Sequence, residues 1–309
     1  MPGLTWNKPK GKEQKAKTFP IAIVKGDNKT FHNKFLYLDT RERIPPGERK
    51  MIETEIPYDC MFSIIPNPDK DKRDVFYIAG ASGSGKSWIA RQIANNYKRM
   101  YPDRPVFVVS KLTEDETLDG MEEPPIRLDY SKWVENPPNI NQLSNSLIIF
   151  DDYDTIEGKE GKAVQSVIND LAIMGRKHSD DQGNVSMLLL THYLSNYSKT
   201  RLLLNEATHY VVYPQNSSAH ALAYMLKTYM GLDKDDIKKL RKLGRWVCLM
   251  KNYPQVLLSA SYCKVLHQDT DSDEEPGDEE PGDEEPKNLR VLKSPPKKGR
   301  GRAGGWGKY

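Results

Sequence analysis

Short, unbroken apolar runs punctuate the middle of the chain, and the stretches between them carry a helical period. Residues 75–79 (Val-Phe-Tyr-Ile-Ala) form such a run and lead into a segment rich in Gly and Ser. Directly after it, Trp88, Ile89, Ile93, Ala94 and Tyr97 recur at helical spacing within residues 86–100, which predicts strand, loop and helix in succession. Further apolar runs at 106–109, 147–150 and 185–190 predict buried strands, with a helical pattern at 163–174 between the last two. Strands alternating with helices imply an α/β fold with a mainly parallel sheet and helices on both faces. Residues 210–213 predict a fifth strand, and 219–230 and 234–243 predict helices. Residues 246–250 and 256–260 flank Asn252-Tyr253-Pro254-Gln255 as a hairpin would, and 262–266 closes the fold.

The flanks read differently. Residues 1–18 are Lys, Gly and Pro with little to bury, and predict a disordered basic arm. Residues 19–24 and 35–38 are apolar and β-prone, with a break at Ile44-Pro45-Pro46-Gly47, so residues 19–73 predict strands and loops leading into a core domain at 74–266. In the remaining segment, 267–309, Asp-Glu-Glu-Pro-Gly at 273–277 recurs at 278–282 and begins again at Asp283, a low-complexity acidic linker. A basic, Gly-rich tail with Lys293, Lys297, Lys298, Arg300 and Arg302 follows it.

The formal net charge of +3 is a near-cancellation of 46 basic and 43 acidic side chains, so the location of charge carries more than its sum. The basic arms at 8–17 and 293–302 can neutralise phosphates without reading sequence, and equally fit import signals or solubilising ends. The acidic repeat fits either a mask for the basic tail or a self-repelling spacer. Cys60, Cys248 and Cys263 form no disulfide framework and no C-x-x-C spacing, which points to a reducing compartment. No secretory signal and no run approaching the ~20 apolar residues of a membrane span is visible, so a soluble intracellular protein is expected.

The chemistry concentrates at three places. Gly80, Ala81, Ser82, Gly83, Ser84, Gly85, Lys86 and Ser87 match G-x-x-x-x-G-K-[ST] in full, between a predicted strand and a predicted helix. Glycines let the backbone wrap phosphate, and successive N–H groups with the helix N-terminus favour the anion. Lys86 reaches the terminal phosphates and the Ser87 hydroxyl can ligate Mg²⁺, so ATP and Mg²⁺ are the expected ligands. At 147–152, an apolar strand ends in Asp151 and Asp152. Asp151 would hold Mg²⁺ through water and Asp152 would accept a proton from, or orient, the attacking water; the plainer alternative is an Asp-rich turn. At the end of the 185–190 strand, Thr191 and His192 could sense the γ-phosphate or be a strand-terminal Thr and a surface His. Asp154 reads as loop. Arg176, with Lys177 and His178, closes a helix, either complementing its dipole or serving as an arginine finger for a neighbouring subunit; Arg201 is a second candidate.

Taken together, residues 80–87, 147–152 and 185–192 resemble the additional-strand class of P-loop ATPases, with 106–109 as the strand that intervenes between the two Walker strands. The Asp151-Asp152 pair, the Gly175-Arg176-Lys177-His178 segment and the short stretch after the core are similar to the poxvirus-type genome-packaging ATPases of the FtsK/HerA lineage. The resemblance spans residues 74–266. It implies a homo-oligomeric ring, a hexamer, that hydrolyses ATP to move double-stranded DNA into a capsid, with Arg176 acting across the subunit interface. Capsid proteins are then possible partners, no membrane is involved, and the setting is the host cytoplasm or nucleus, or the virion. Cellular relatives usually place Gln near Thr191-His192 and Glu at the Asp152 position, a departure that bears on the water-positioning residue and the sensor. A nucleotide or nucleoside kinase would share the P-loop but need an Arg-rich lid, of which residues 153–184 show no convincing trace. An assembly ATPase that switches a protein partner is a third reading.

Overall fold

The computed structural model describes residues 1–266 apart from 11, 45, 46, 180, 181 and 253; the acidic repeat and basic tail at 267–309 lie outside the described residues. The first elements are short: β1 (Gly3–Thr5), α1 (Lys12–Lys17), β2 (Thr18–Gly26), β3 (Phe35–Asp39), β4 (Glu53–Glu55) and β5 (Cys60–Ile64). Next come β6 (Val75–Ala79), α2 (Lys86–Met100), β7 (Val106–Val109), α3 (Glu116–Asp119), β8 (Ile126–Arg127), β9 (Leu147–Phe150), α4 (Gly158–Met174) and β10 (Ser186–Thr191). The chain continues through α5 (Tyr197–Glu206), β11 (His209–Val212), α6 (Ala219–Met230), α7 (Lys234–Leu240), β12 (Val247–Met250), β13 (Val256–Ser259) and β14 (Tyr262–Val265).

Ten strands form one sheet in the order β4-β14-β13-β12-β11-β6-β10-β9-β7-β8. The six from β11 to β8 are parallel, and the four at the other end are antiparallel. Strands β1, β3, β2 and β5 make a separate antiparallel sheet. Because side chains alternate along a strand, each run of the large sheet feeds two cores. Phe76, Ile78, Leu147, Ile149, Leu188 and Leu190 point to one face, where they meet Ile89, Ile93 and Tyr97 of α2 and Ala22, Val24 and Phe62 of the small sheet. Val75, Tyr77, Ile148, Phe150, Met187 and Leu189 point to the other, against Ile168 and Leu171 of α4, Leu203 of α5, Leu226 of α6 and Leu240 of α7. Cover on both faces explains why these strands read as continuous apolar runs rather than alternating ones.

Two expectations need correction. The strand between β6 and β9 is β10, paired to both, whereas residues 106–109 form β7 on the outer side of β9. A parallel strand needs a crossover, and the chain leaving β9 through α4 returns into the gap beside β6, so sequence order and spatial order diverge. The second correction is at the amino end: within residues 1–18, expected as a disordered arm, residues 3–5 are a strand and 12–17 a helix. Leu4 is fully buried, and Trp6 stacks on Phe62 at 6.2 Å and meets Phe31 edge-on at 5.7 Å. Among the described residues, no helix is long and apolar enough to cross a membrane.

Candidate nucleotide-binding site

The parallel strands end nearly level. Ala79 pairs with Thr191 and Val212, and Phe150 with Leu189, so the residues following β6, β9 and β10 emerge together at the carboxyl edge where open α/β sheets bind ligands. The first of these, Gly80, donates its N–H to the Thr191 carbonyl at 3.1 Å. A Cβ at Gly80 would lie 2.6 Å from both Ser84 Oγ and the Tyr213 ring, so only glycine fits there. Gly83 and Gly85 have φ of 72° and 109°, a left-handed backbone that disfavours side chains. The loop therefore turns tightly into α2.

That helix starts without a counter-charge of its own. Its cap, Gly85, offers no side-chain acceptor, and the first turn holds no acidic residue. The unsatisfied N–H groups and the positive end of the dipole are left for an external anion. Ser87 sits in this first turn. Lys86, 7% exposed, donates from Nζ to the Gly80 carbonyl at 3.1 Å and lies 3.3 Å from Asp152 Oδ1.

Two consecutive carboxylates leave β9 in different directions. Asp151 is buried and accepts one hydrogen bond from Ser110 Oγ at 3.0 Å. Burial, and after it the charge of Asp152, pushes its carboxyl up to about 6 despite the Ser110 hydrogen bond. The folded state thus binds this proton more tightly than the unfolded chain. The resulting stabilisation is fully present below pH ~4 and is lost as pH rises through about 6. At neutral pH an ionised Asp151 is destabilising unless a cation compensates it, which fits a ligand to Mg²⁺. Asp151→Asn is accordingly expected to raise the thermal stability of the nucleotide-free protein by about 1–2 kcal/mol at pH 7.5 while losing metal-dependent turnover; calorimetry alongside an ATPase assay checks both.

Asp152 adopts a left-handed conformation, φ 44° and ψ 38°, one that Asp tolerates better than most residues. Its Oδ1 lies 3.2 Å from His192 Nε2 and 3.3 Å from Lys86 Nζ. Asp154, read from the sequence as loop, binds the last residue of β10 and the one after it. Its Oδ2 accepts from Thr191 Oγ1 at 2.8 Å and from the His192 N–H at 2.9 Å. Ligand atoms of Asp152, Asp154 and His192 all lie within 4.8 Å of one another. Because Lys86 already faces Asp152, we read this group as a frame held by that ion pair and by the Asp154 hydrogen bonds rather than as a metal centre.

Residues 80–87, Asp151, Asp152, Thr191 and His192 are therefore brought together. Arg176 is not. It follows α4 at the opposite, amino edge of the sheet, where Val185 N–H donates to the Gly175 carbonyl; its side chain is 70% exposed and pairs with Glu206 at 3.2 Å. Arg201 is exposed on α5. Sequence reasoning missed Arg245, which precedes β12 and donates from Nε to the Ser84 carbonyl at 2.9 Å and from Nη2 to the Gly83 carbonyl at 3.0 Å. An Arg at the end of a basic stretch between a helix and a strand carries no local signal of that role. Arg245→Ala removes both hydrogen bonds from an exposed side chain, so we expect an unchanged melting temperature but roughly tenfold weaker nucleotide binding by titration calorimetry.

Residues 76–213 match the family described as ATPase family associated with various cellular activities (AAA). Over 251 residues the chain is 32% identical to protein V3 of the Sputnik virophage, covering 80% of this chain and 95% of V3. Among solved structures it is similar to B204, the DNA-packaging ATPase from Sulfolobus turreted icosahedral virus, at 13% identity and TM-score 0.39, covering 64% of this chain and 100% of that one. It is also similar to the pCW3 conjugation coupling protein TcpA, at 12% identity and TM-score 0.41, covering 78% and 76%. With the P-loop, the buried lysine and the paired carboxylates at one sheet edge, residues 76–213 are an AAA-type ATPase domain, and the chain belongs to the same family as the virophage protein V3.

Proposed function

We propose that this ATPase is a DNA-packaging motor, coupling ATP hydrolysis to the movement of double-stranded DNA into a capsid. The observation that carries the reading is the convergence of the P-loop, Asp151-Asp152 and Thr191-His192 at one sheet edge, in a chain related to a virophage protein over most of its length. The P-loop N–H groups and Lys86 bind the phosphates of ATP. Ser87 and Asp151 are the residues suited to hold Mg²⁺, which when bound neutralises phosphate charge. Asp152 orients the attacking water and accepts its proton. Thr191 and His192, held by Asp154, lie where the γ-phosphate state can be felt. Arg245 braces the loop that wraps the phosphates.

Arg176 lies at the sheet edge away from its own P-loop, so a catalytic part for it requires a neighbouring subunit, as in a closed homo-oligomeric ring. Its exposure suits that part. The test is steady-state ATP hydrolysis with and without long duplex DNA at moderate salt, with Lys86→Ala as blank. Stimulation that grows with duplex length is expected of a translocating motor. Lys86-dependent hydrolysis indifferent to DNA would overturn the packaging reading and point to a protein-switching ATPase, while phosphate transfer to a nucleoside would point to a kinase.

A further inference from the structure

Arg245 is the last cation of an exposed basic segment. Residues 238–245 read Lys-Lys-Leu-Arg-Lys-Leu-Gly-Arg, with Lys238, Lys239, Arg241, Lys242 and Arg245 all exposed. Ile237 and Leu240 are buried in the core beneath. The apolar positions therefore anchor the segment and turn its cations outward. Its charge is only partly compensated, by Asp233, Asp235 and Asp236 at the start of α7. Lys239 Nζ lies 3.9 Å from Asp236 Oδ1 in a solvent-exposed pair of little worth. Among the described residues, no carboxylate forms an ion pair with Lys238, Arg241 or Lys242. Crowding like charges this closely costs stability through self-repulsion, a cost that a polyanion relieves.

We propose that residues 238–242 contact the phosphate backbone of double-stranded DNA, and that Arg245 transmits this engagement to the P-loop. The inference rests on the DNA-translocation reading above and locates its contact surface on the folded domain rather than on the charged tails. Residues 238–245 hold no aromatic side chain for stacking unpaired bases, and no Asn, Gln or acidic side chain to pair with base edges. What they offer is a run of cations suited to a duplex backbone, whose Lys and Arg can read a base edge only at guanine. A few residues on, the two Arg245 hydrogen bonds to Gly83 and Ser84 connect that surface to the loop that receives ATP. A pull on the segment reaches the phosphate site through these bonds.

The test uses the full chain and a short labelled duplex, with binding followed by fluorescence anisotropy across a salt series. In the Lys238→Ala, Arg241→Ala, Lys242→Ala triple variant, affinity is expected to fall. The slope of log affinity against log salt should become shallower by about 0.9 for each phosphate that is no longer neutralised. Hydrolysis without DNA should be unchanged. In Arg245→Ala at saturating ATP, duplex binding is expected to persist while the ratio of turnover with and without DNA drops toward one; an unchanged ratio overturns the transmission step. If the unmodified protein binds duplex and the triple variant matches it in affinity and slope, the contact surface is wrong while the DNA reading stands. If the unmodified protein binds no duplex even at low salt, the DNA reading itself fails. Loss of binding to polyglutamate by the triple variant, with duplex binding untouched, would reassign the surface to an acidic protein and overturn the proposal.

Discussion

Lys86→Ala is expected to abolish productive nucleotide binding and to lower ATP turnover by roughly 10²–10³-fold, the loss typical of removing a preorganised charge from a reaction centre. The Lys86 ammonium lies between the Gly80 carbonyl and Asp152, largely shielded from water. Removing it takes a positive charge away from a site that must receive an anion, and leaves the Asp151 and Asp152 carboxylates facing that anion uncompensated. Both changes act against ATP. Stability should respond far less, because the ion pair joins Lys86 to a carboxylate whose side chain is 41% exposed, and partial exposure screens it. Titration calorimetry with ATP and Mg²⁺, paired with a melting curve, separates the two effects. Lys86→Arg should also fail, because a planar guanidinium does not fit a space made for a point charge on a thin stem. Near-normal turnover in Lys86→Ala would remove the P-loop from its assigned work.

What was legible in the chain was local. The P-loop could be read because its glycines, lysine and serine are contiguous, flanked by one short apolar run and one helical repeat, and each residue's conformational demand is visible in its type. The carboxylate pair was legible for the same reason, as the polar end of an apolar strand. The spatial order of the strands was not, since it is decided by which crossover fills the gap beside β6, and periodicity is silent on pairing partners. Arg245 was invisible because its partners lie 161 and 162 residues away. Asp154 looked like loop because its task depends on Thr191 and His192, on another strand. β1 escaped notice because three residues cannot establish a period, although Leu4 and Trp6 are the side chains that hold it in place.

The site's order also depends on a residue in an uncommon conformation. The left-handed turn at Asp152 sets where the second of two consecutive carboxylates goes: Asp151 faces Ser110, and Asp152 faces Lys86 and His192. In an extended continuation of β9, adjacent side chains would simply point to opposite faces. The turn thus assigns the pair different surroundings, one buried and one partly open to water.

Asp152→Asn is the substitution that isolates the charge from the turn. Asn has nearly the same volume and accepts the left-handed backbone at least as well, so the fold around β9 should be undisturbed and the melting temperature close to unchanged. Asp152→Ala, by contrast, places a side chain with no such tolerance at φ 44° and is expected to cost about 1 kcal/mol of stability through backbone strain alone. In the Asn variant, ATP should still bind, and somewhat more tightly, because one negative charge near the phosphates is gone. Turnover is expected to fall by about 10²–10⁴-fold, since a neutral amide cannot accept the proton of the attacking water. Single-turnover measurements on preloaded ATP separate this chemical loss from any change in binding. Retained chemistry would transfer the base to His192, 3.2 Å from the same oxygen, and His192→Gln would then carry the loss that Asp152→Asn did not.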